Sequence, residues 1–307
     1  MVAKKKSKRL AGIVCGMIFM LVCAVAGAQQ TYYLSPDEAV TALLQALKSE
    51  SPEALRAVMG PEVEELKSGD QVADEAAAAL FLEKAAEANR VQFHGDDRAE
   101  LLLGQEDWPF SVPLVKEAKG WRFDTASGKE ELISRRIGGN ELHVIATTRA
   151  YVEAQHEYAA LNPMNEGARQ YAQRFHSSEG KRDGLFWPVG EGEPESPLGP
   201  LVAQAVQEGY ATGNRGLPYH GYYYHILKAQ GTNAPGGARS YLEDGHMTRG
   251  FGMVAYPAEY GKSGIMTFIV NERGLMFQKD LGEETESLAV AIAEYNPDSS
   301  WTPVAED

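Results

Sequence analysis

Residues 141–160 read Glu141-Leu142-His143-Val144-Ile145-Ala146-Thr147-Thr148-Arg149-Ala150-Tyr151-Val152-Glu153-Ala154-Gln155-His156-Glu157-Tyr158-Ala159-Ala160. The pairs Val144/Ile145, Tyr151/Val152 and Tyr158/Ala159 return every seven residues, which winds one broad apolar stripe along a helix and calls for a surface to cover it. Gly138-Gly139-Asn140 comes just before, two residues of poor helix propensity and a capping side chain, so the spacing predicts a break there and a new helix from Glu141. The covering surface lies in the C-terminal third. Tyr222–Lys228 alternates, and Phe251–Tyr256, Ile265–Val270 and Leu275–Lys279 are short β-type runs joined by the turn-forming Pro257–Gly264 and Asn271-Glu272-Arg273-Gly274. Residues 140–295 are therefore expected to form a long helix packed on an antiparallel β-meander, closed by a helix around Ser287–Tyr295. Residues 296–307 are expected to fray as a flexible tail.

Upstream, the texture is helical and then β. Ser35-Pro36-Asp37-Glu38 combines a capping box with proline at the first helical position, and Ala39, Val40, Leu43, Leu44 and Leu47 follow at helical spacing. Ser51-Pro52-Glu53 repeats the start signal, Gly60-Pro61 ends the second helix, and an alanine-rich third is expected from about Asp74 to Asn89. Val91–His94, Ala99–Leu103, Phe110–Lys116 and Trp121–Asp124 then read as strands of a small antiparallel sheet, with Lys119-Gly120 as a hairpin turn. Residues 29–135 thus form an α+β unit of their own. A loop-rich tract, 162–221, separates the long helix from its sheet, with one short helix expected over Leu198–Glu208 and Gly, Pro and acid crowded into Glu191–Pro200.

Residues 1–28 read as a secretory signal peptide. Lys4, Lys5, Lys6, Lys8 and Arg9 make a positive head, an apolar run from Leu10 to about Val25 follows, and Ala26-Gly27-Ala28 offers small residues at a cleavage site near Ala28. That run falls short of the ~20 residues a spanning helix needs, so no membrane span is expected in the mature chain. Both cysteines, Cys15 and Cys23, leave with it, which excludes thiol nucleophiles, disulfides and cysteine-ligated metal from what remains. Removing five of the 29 basic residues and none of the 43 acidic ones deepens the net charge from −14 to about −19. Such a surface repels phosphate backbones, so nucleic acid is not an expected partner.

Several blocks together resemble a known family. Gly184-Leu185-Phe186-Trp187-Pro188, Ser196-Pro197-Leu198-Gly199-Pro200-Leu201-Val202, Pro218-Tyr219-His220-Gly221-Tyr222-Tyr223-Tyr224 and the segment Gly250 to Gly261 are similar to the bacterial domain-of-unknown-function 2950 family. The resemblance implies an exported protein of Gram-negative bacteria and carries over no catalytic residues. The C-terminal half also resembles the globular head of type IV pilins and pseudopilins, on Thr148, Ala150, Tyr151 and Ala154 of the long helix, Gly221-Tyr222-Tyr223-Tyr224, and the meander from Ser263-Gly264 to Gly274-Leu275. That likeness implies a helix laid across an antiparallel sheet.

Motifs that suggest chemistry are incomplete. Gly261-Lys262-Ser263 ends like a phosphate-binding loop, but Tyr256 stands where the first glycine belongs and a strand follows instead of a helix. Ser178-Glu179-Gly180-Lys181 has the spacing of a serine–lysine acyl enzyme, yet Gly180 and its neighbours read as a loop rather than a rigid helix start. His220 and His225 flank a tyrosine run, but five residues apart on a strand they face opposite ways, so neither a metal site nor any cofactor is expected. Trp187, Tyr219, His220, Tyr222, Tyr223, Tyr224 and His225 remain as a candidate ligand or partner surface, since aromatic rings with polar tips suit sugars and protein interfaces. The same residues equally suit a sheet core. The expected function is a non-enzymatic periplasmic or secreted protein that binds or scaffolds an envelope protein or glycan component. The alternative is a cell-wall or glycan-directed hydrolase with its site near Tyr219–His225, served by Asp183 or an acidic loop residue.

Overall fold

The computed structural model describes residues 30–165, 167–190, 192–210 and 217–305. The expected signal peptide with both cysteines, Glu191 and the last two residues of the tail lie outside them. The fold is mixed α+β, with N-terminal helices and several antiparallel sheets.

The first helices start as their caps dictate. Ser35 Oγ accepts from Glu38 N to open α1 (Pro36–Lys48), and Ser51 Oγ accepts from Ala54 N to open α2 (Pro52–Met59). Glu38 returns a bond to the Leu34 amide, 3.1 Å away, one residue short of the box partner. A 3-10 turn over Pro61–Leu66 leads to α3 (Gln71–Glu87), which is capped by Asp70 and so begins before the expected Asp74. The strands β1 (Asn89–Phe93), β2 (Arg98–Leu103), β3 (Trp108–Pro109), β4 (Leu114–Glu117) and β5 (Gly120–Phe123) form one antiparallel sheet, ordered β1-β2-β4-β5 with β3 beside β2. Its inner face (Leu101, Leu103, Leu114, Trp121, Phe123) meets Ala39, Val40 and Leu43 of α1 and Val58 and Met59 of α2 in one buried cluster. The chain entering α1 also pairs with the sheet, Tyr33 and Trp121 exchanging two backbone bonds of 2.8 Å.

The expected break at Gly138-Gly139 does not occur. A single helix, α4, runs from Thr125 to Leu161, 37 residues, straight through both glycines. Glycine costs a helix about 1 kcal/mol relative to alanine, and the contacts on either side offset it. Arg136 donates to the Leu66 carbonyl and, at 3.0 Å, to that of Lys262. Asn140 does not cap: its Nδ2 donates to Ser263 O at 2.8 Å. Glu141 Oε1 accepts from the amides of Ile265 and Met266, both at 3.0 Å. Tertiary bonds thus override a local propensity, and α4 belongs to both halves of the chain.

Past α4 come α5 (Gly199–Gln207), β6 (Tyr222–Leu227), the two-residue strands β7 (Ala229–Gln230), β8 (Arg239–Ser240), β9 (Leu242–Glu243) and β10 (His246–Met247), then β11 (Gly252–Pro257), β12 (Met266–Asn271), β13 (Met276–Asp280), α6 (Thr285–Val290) and β14 (Thr302–Pro303). The main sheet has the antiparallel order β14-β13-β12-β11-β6. Val144, Tyr151, Ala154 and Tyr158 of α4 share a core with Tyr222, Met253, Ala255, Phe268, Val270 and Met276 of this sheet, so the seven-residue stripe finds its cover where the sequence places it. The far face of the sheet holds Leu227, Val254, Ile269 and Tyr295.

One expectation about loose segments is corrected, and a second segment is partly held. The tail does not fray at Asn296: Gln278 pairs with Thr302, Phe277 pairs with Pro303, and Val304 N donates to Met276 O at 3.0 Å, so an otherwise open strand edge captures it. The Glu191–Pro197 stretch is exposed over residues 192–195, but Ser196 and Pro197 are buried. Leu198 N bonds to Leu185 O at 3.0 Å and draws that end in.

Candidate functional site

The candidate residues separate into three groups. β6 alternates, as a strand must. Tyr222, Tyr224 and Ile226 face α4 and its core, while Tyr223, His225 and Leu227 face the other way. Tyr222 is fully buried, its hydroxyl on Met266 O at 3.1 Å. His225 Nε2 lies 3.0 Å from Ile292 O, far from the tyrosines that face α4. Trp187 is 6 % exposed beside Tyr158, ring centroids 6.4 Å apart, with the Arg182 guanidinium over its ring. Trp187 and Tyr222 are therefore core residues, not surface.

Tyr219 and His220 do converge with other groups, and those come from elements remote in sequence. Asp70, the α3 cap, is 2 % exposed and sits at the centre. Its Oδ1 accepts from Ala73 N at 3.1 Å, and its Oδ2 accepts from the Tyr210 hydroxyl at 2.8 Å and Gly221 N at 2.9 Å. The Tyr210 oxygen accepts in turn from His220 N at 3.1 Å. His220 has φ +48, a left-handed conformation histidine tolerates better than most residues. Its ring stacks on that of His143 from α4, centroids 4.1 Å apart and 13° from parallel. His220 Nε2 is 3.0 Å from Glu208 Oε2, a close approach not aligned as a hydrogen bond. Tyr219 donates to the same Glu208 oxygen at 3.4 Å. Tyr224 stands behind, its hydroxyl buried without a hydrogen bond.

Burial sets the electrostatics. It holds the His220 imidazole below the ordinary histidine range, helped by the second imidazole of His143 and opposed by Glu208 and Asp70. Burial also pushes the Tyr210, Tyr219 and Tyr224 phenols well above the usual range, with Asp70 and Glu208 adding to it for Tyr210 and Glu208 for Tyr219. These tyrosines stay protonated phenols at any ordinary pH, and His220 is a neutral ring beside a carboxylate.

Other suspected chemistry dissolves into turns. Asp183 accepts from Ser178 N at 2.7 Å and from its hydroxyl at 2.9 Å, which closes the Ser178–Lys181 loop far from His220's partners. Lys262 Nζ is bound to Glu259 at 2.6 Å in the turn before β12, and Ser263 is buried. Among the described residues, one surface groove of about 400 Å³ is lined by Ile269, Ile292, Asn296 and Trp301, and another of about 180 Å³ by Arg149, Val152, Val270 and Met276. Neither borders the Asp70–His220 cluster. Among the described residues, no group of three or more histidines and carboxylates is arranged to hold a metal ion, and no helix is long and apolar enough to cross a membrane.

Asp70, His143, Glu208 and Tyr210 have no mark in the sequence. Asp70 reads as a loop acid before a helix and His143 as an outward position on α4. Only the three-dimensional approach of α3, α4 and the end of α5 makes them neighbours.

Fold and cluster together define an α+β protein whose histidine and tyrosine groups are gathered at the junction of two cores. The chain belongs to the DUF2950 family, described as a protein of unknown function, whose model matches residues 29–304. No curated protein and no solved structure matches it.

Proposed function

We propose that this is a periplasmic or secreted protein that binds or scaffolds an envelope protein or glycan component and catalyses no reaction. The observation that carries this reading is the internal closure of the cluster. Both Asp70 oxygens are occupied by protein donors, and Glu208 accepts from Tyr219. Groups bonded in this way hold two halves of a molecule together, and their acid–base capacity is committed to the fold. Export rests on the charged, apolar and small-residue order of residues 1–28.

The pilin-head likeness enters this reading on its sequence blocks alone. α4 runs back into the N-terminal unit instead of into an apolar tail, so filament assembly is not part of the proposal.

One arrangement favours the hydrolase alternative. His143 is exposed, its Nδ1 is held on Gly139 O at 2.8 Å, and its ring stacks on a neutral imidazole beside a carboxylate. That is a placement a general base needs. The test is to incubate the mature protein with purified cell-wall sacculi, assaying both co-sedimentation and released fragments. The binding reading expects co-sedimentation with an envelope fraction and no fragment release. Release that disappears in His143→Gln and Glu208→Gln establishes the hydrolase instead.

A further inference from the structure

β1 is an edge strand whose outer side no element pairs with among the described residues. Its register against β2 fixes which groups are open. Gly104 N donates to Ala88 O at 2.9 Å and His94 N to Arg98 O at 2.9 Å, at the two ends of the ladder. Even-numbered residues of β1 therefore turn their backbone groups towards β2, and Asn89, Val91 and Phe93 turn theirs outward. Open backbone groups at these three alternate residues are a template for one more strand. Phe93, 54 % exposed at the end of β1, offers an apolar contact alongside, its ring centroid 5.8 Å from that of Trp121 in a T-shaped pair.

Natural edges are blunted by lysine, proline, bulges or a covering segment. β1 carries Arg90, but its guanidinium is drawn onto Asp107 at 2.6 Å, and Lys84 nearby is drawn onto Glu87 at 2.7 Å. From Glu83 to Asp107 the sequence holds seven carboxylates and three lysine or arginine cations. The rim of the edge, including Glu83, Asp96, Asp97 and Glu106, is exposed and acidic. Two copies of the chain would bring two such rims together and repel, whereas a basic extended segment is attracted.

We infer that β1 docks an extended, basic segment of a partner protein as an added antiparallel or parallel strand on Asn89, Val91 and Phe93. This deepens the binding reading and rests on it. The shared backbone bonds would supply affinity, and the acidic rim would select for lysine and arginine on the incoming strand.

The probe is a capped peptide, Lys-Val-Lys-Phe-Lys-Val-Lys, added to the mature protein with amide exchange read residue by residue. The amides of Asn89, Val91 and Phe93 are expected to exchange at least tenfold more slowly with the peptide, while those of Arg90 and Gln92 stay as they were. A peptide with glutamate for lysine, or with alternate amides N-methylated, should give no protection. Val91→Pro removes an outward N–H, at a position where edge strands accept proline, along with a side chain that packs on the first core, and should weaken binding at least tenfold. Should that variant fold poorly, Asp96→Lys with Asp97→Lys provides a second arm, expected to weaken the basic peptide alone. Unchanged exchange at the three amides overturns the proposal, as does equal binding by the two peptides, or a dimer in which these amides are already protected. Co-sedimentation of wild type and Val91→Pro with an envelope fraction separates the two levels. Equal retention removes the edge and leaves the binding reading, and retention of neither removes both.

Discussion

At the scale of single residues, burial decides what the aromatic tract does. Trp187 lies against Tyr158, and Tyr158 in turn donates to Arg182 O at 2.8 Å, so one end of the long loop is pinned on α4. Trp187→Ala should cost about 3–5 kcal/mol, as expected for a large buried aromatic, and denaturant unfolding reads it directly. Gly221 has φ +72, and a side chain there would meet Asn140 Nδ2 at 2.7 Å and Ser263 Cβ at 2.9 Å. Gly221→Ala therefore combines strain with a clash and should lose about 1–3 kcal/mol. His220 adds a pH dependence. Its folded-state pKa lies below the unfolded value, so the unfolded chain binds more protons as pH falls through the ordinary histidine range near 6.5. The stability His220 contributes is present above that range and is lost on acidification below it. Melting temperature should fall between pH 7 and 5 more in wild type than in His220→Gln. Equal slopes would show that the ring titrates freely.

At the scale of elements, α4 is where sequence reading and structure part. The stripe of residues 141–160 and the strands that cover it were legible because periodicity of 3.6 and of 2 is written in neighbouring residues. The caps at Ser35 and Ser51 were legible for the same reason. The passage through Gly138-Gly139 was not, since it depends on Leu66, Lys262 and Ser263, all remote in sequence from the glycines. Nor was the capture of the tail by β13, which needs an open edge only the assembled sheet provides. A Cβ added at either Gly138 or Gly139 would meet nothing within 4 Å. Alanine at each should accordingly stabilise the protein by about 1 kcal/mol, through helix propensity. A loss on either substitution would mean that the chain turns there after all. The candidate site was half visible: Tyr219 and His220 stand out as an aromatic-histidine run, but Asp70, His143, Glu208 and Tyr210 join them only through tertiary approach.

At the scale of the whole molecule, two cores are joined by a continuous helix and by the Asp70 cluster, with Arg136 and Asn140 alongside. Contacts of this kind couple the halves, so the protein should unfold in one cooperative step despite having two cores. Above all, the tyrosine–histidine tract serves this junction. Hydrogen exchange by mass spectrometry on Asp70→Ala tests it most directly. The substitution removes a helix cap worth about 1 kcal/mol together with bonds to a charged acceptor worth about 1.5–3 kcal/mol each. Faster exchange is predicted in both 71–75 and 217–224, on the two sides of the junction. Acceleration confined to the first turn of α3 would contradict the claim, because Asp70 would then be a cap and nothing more.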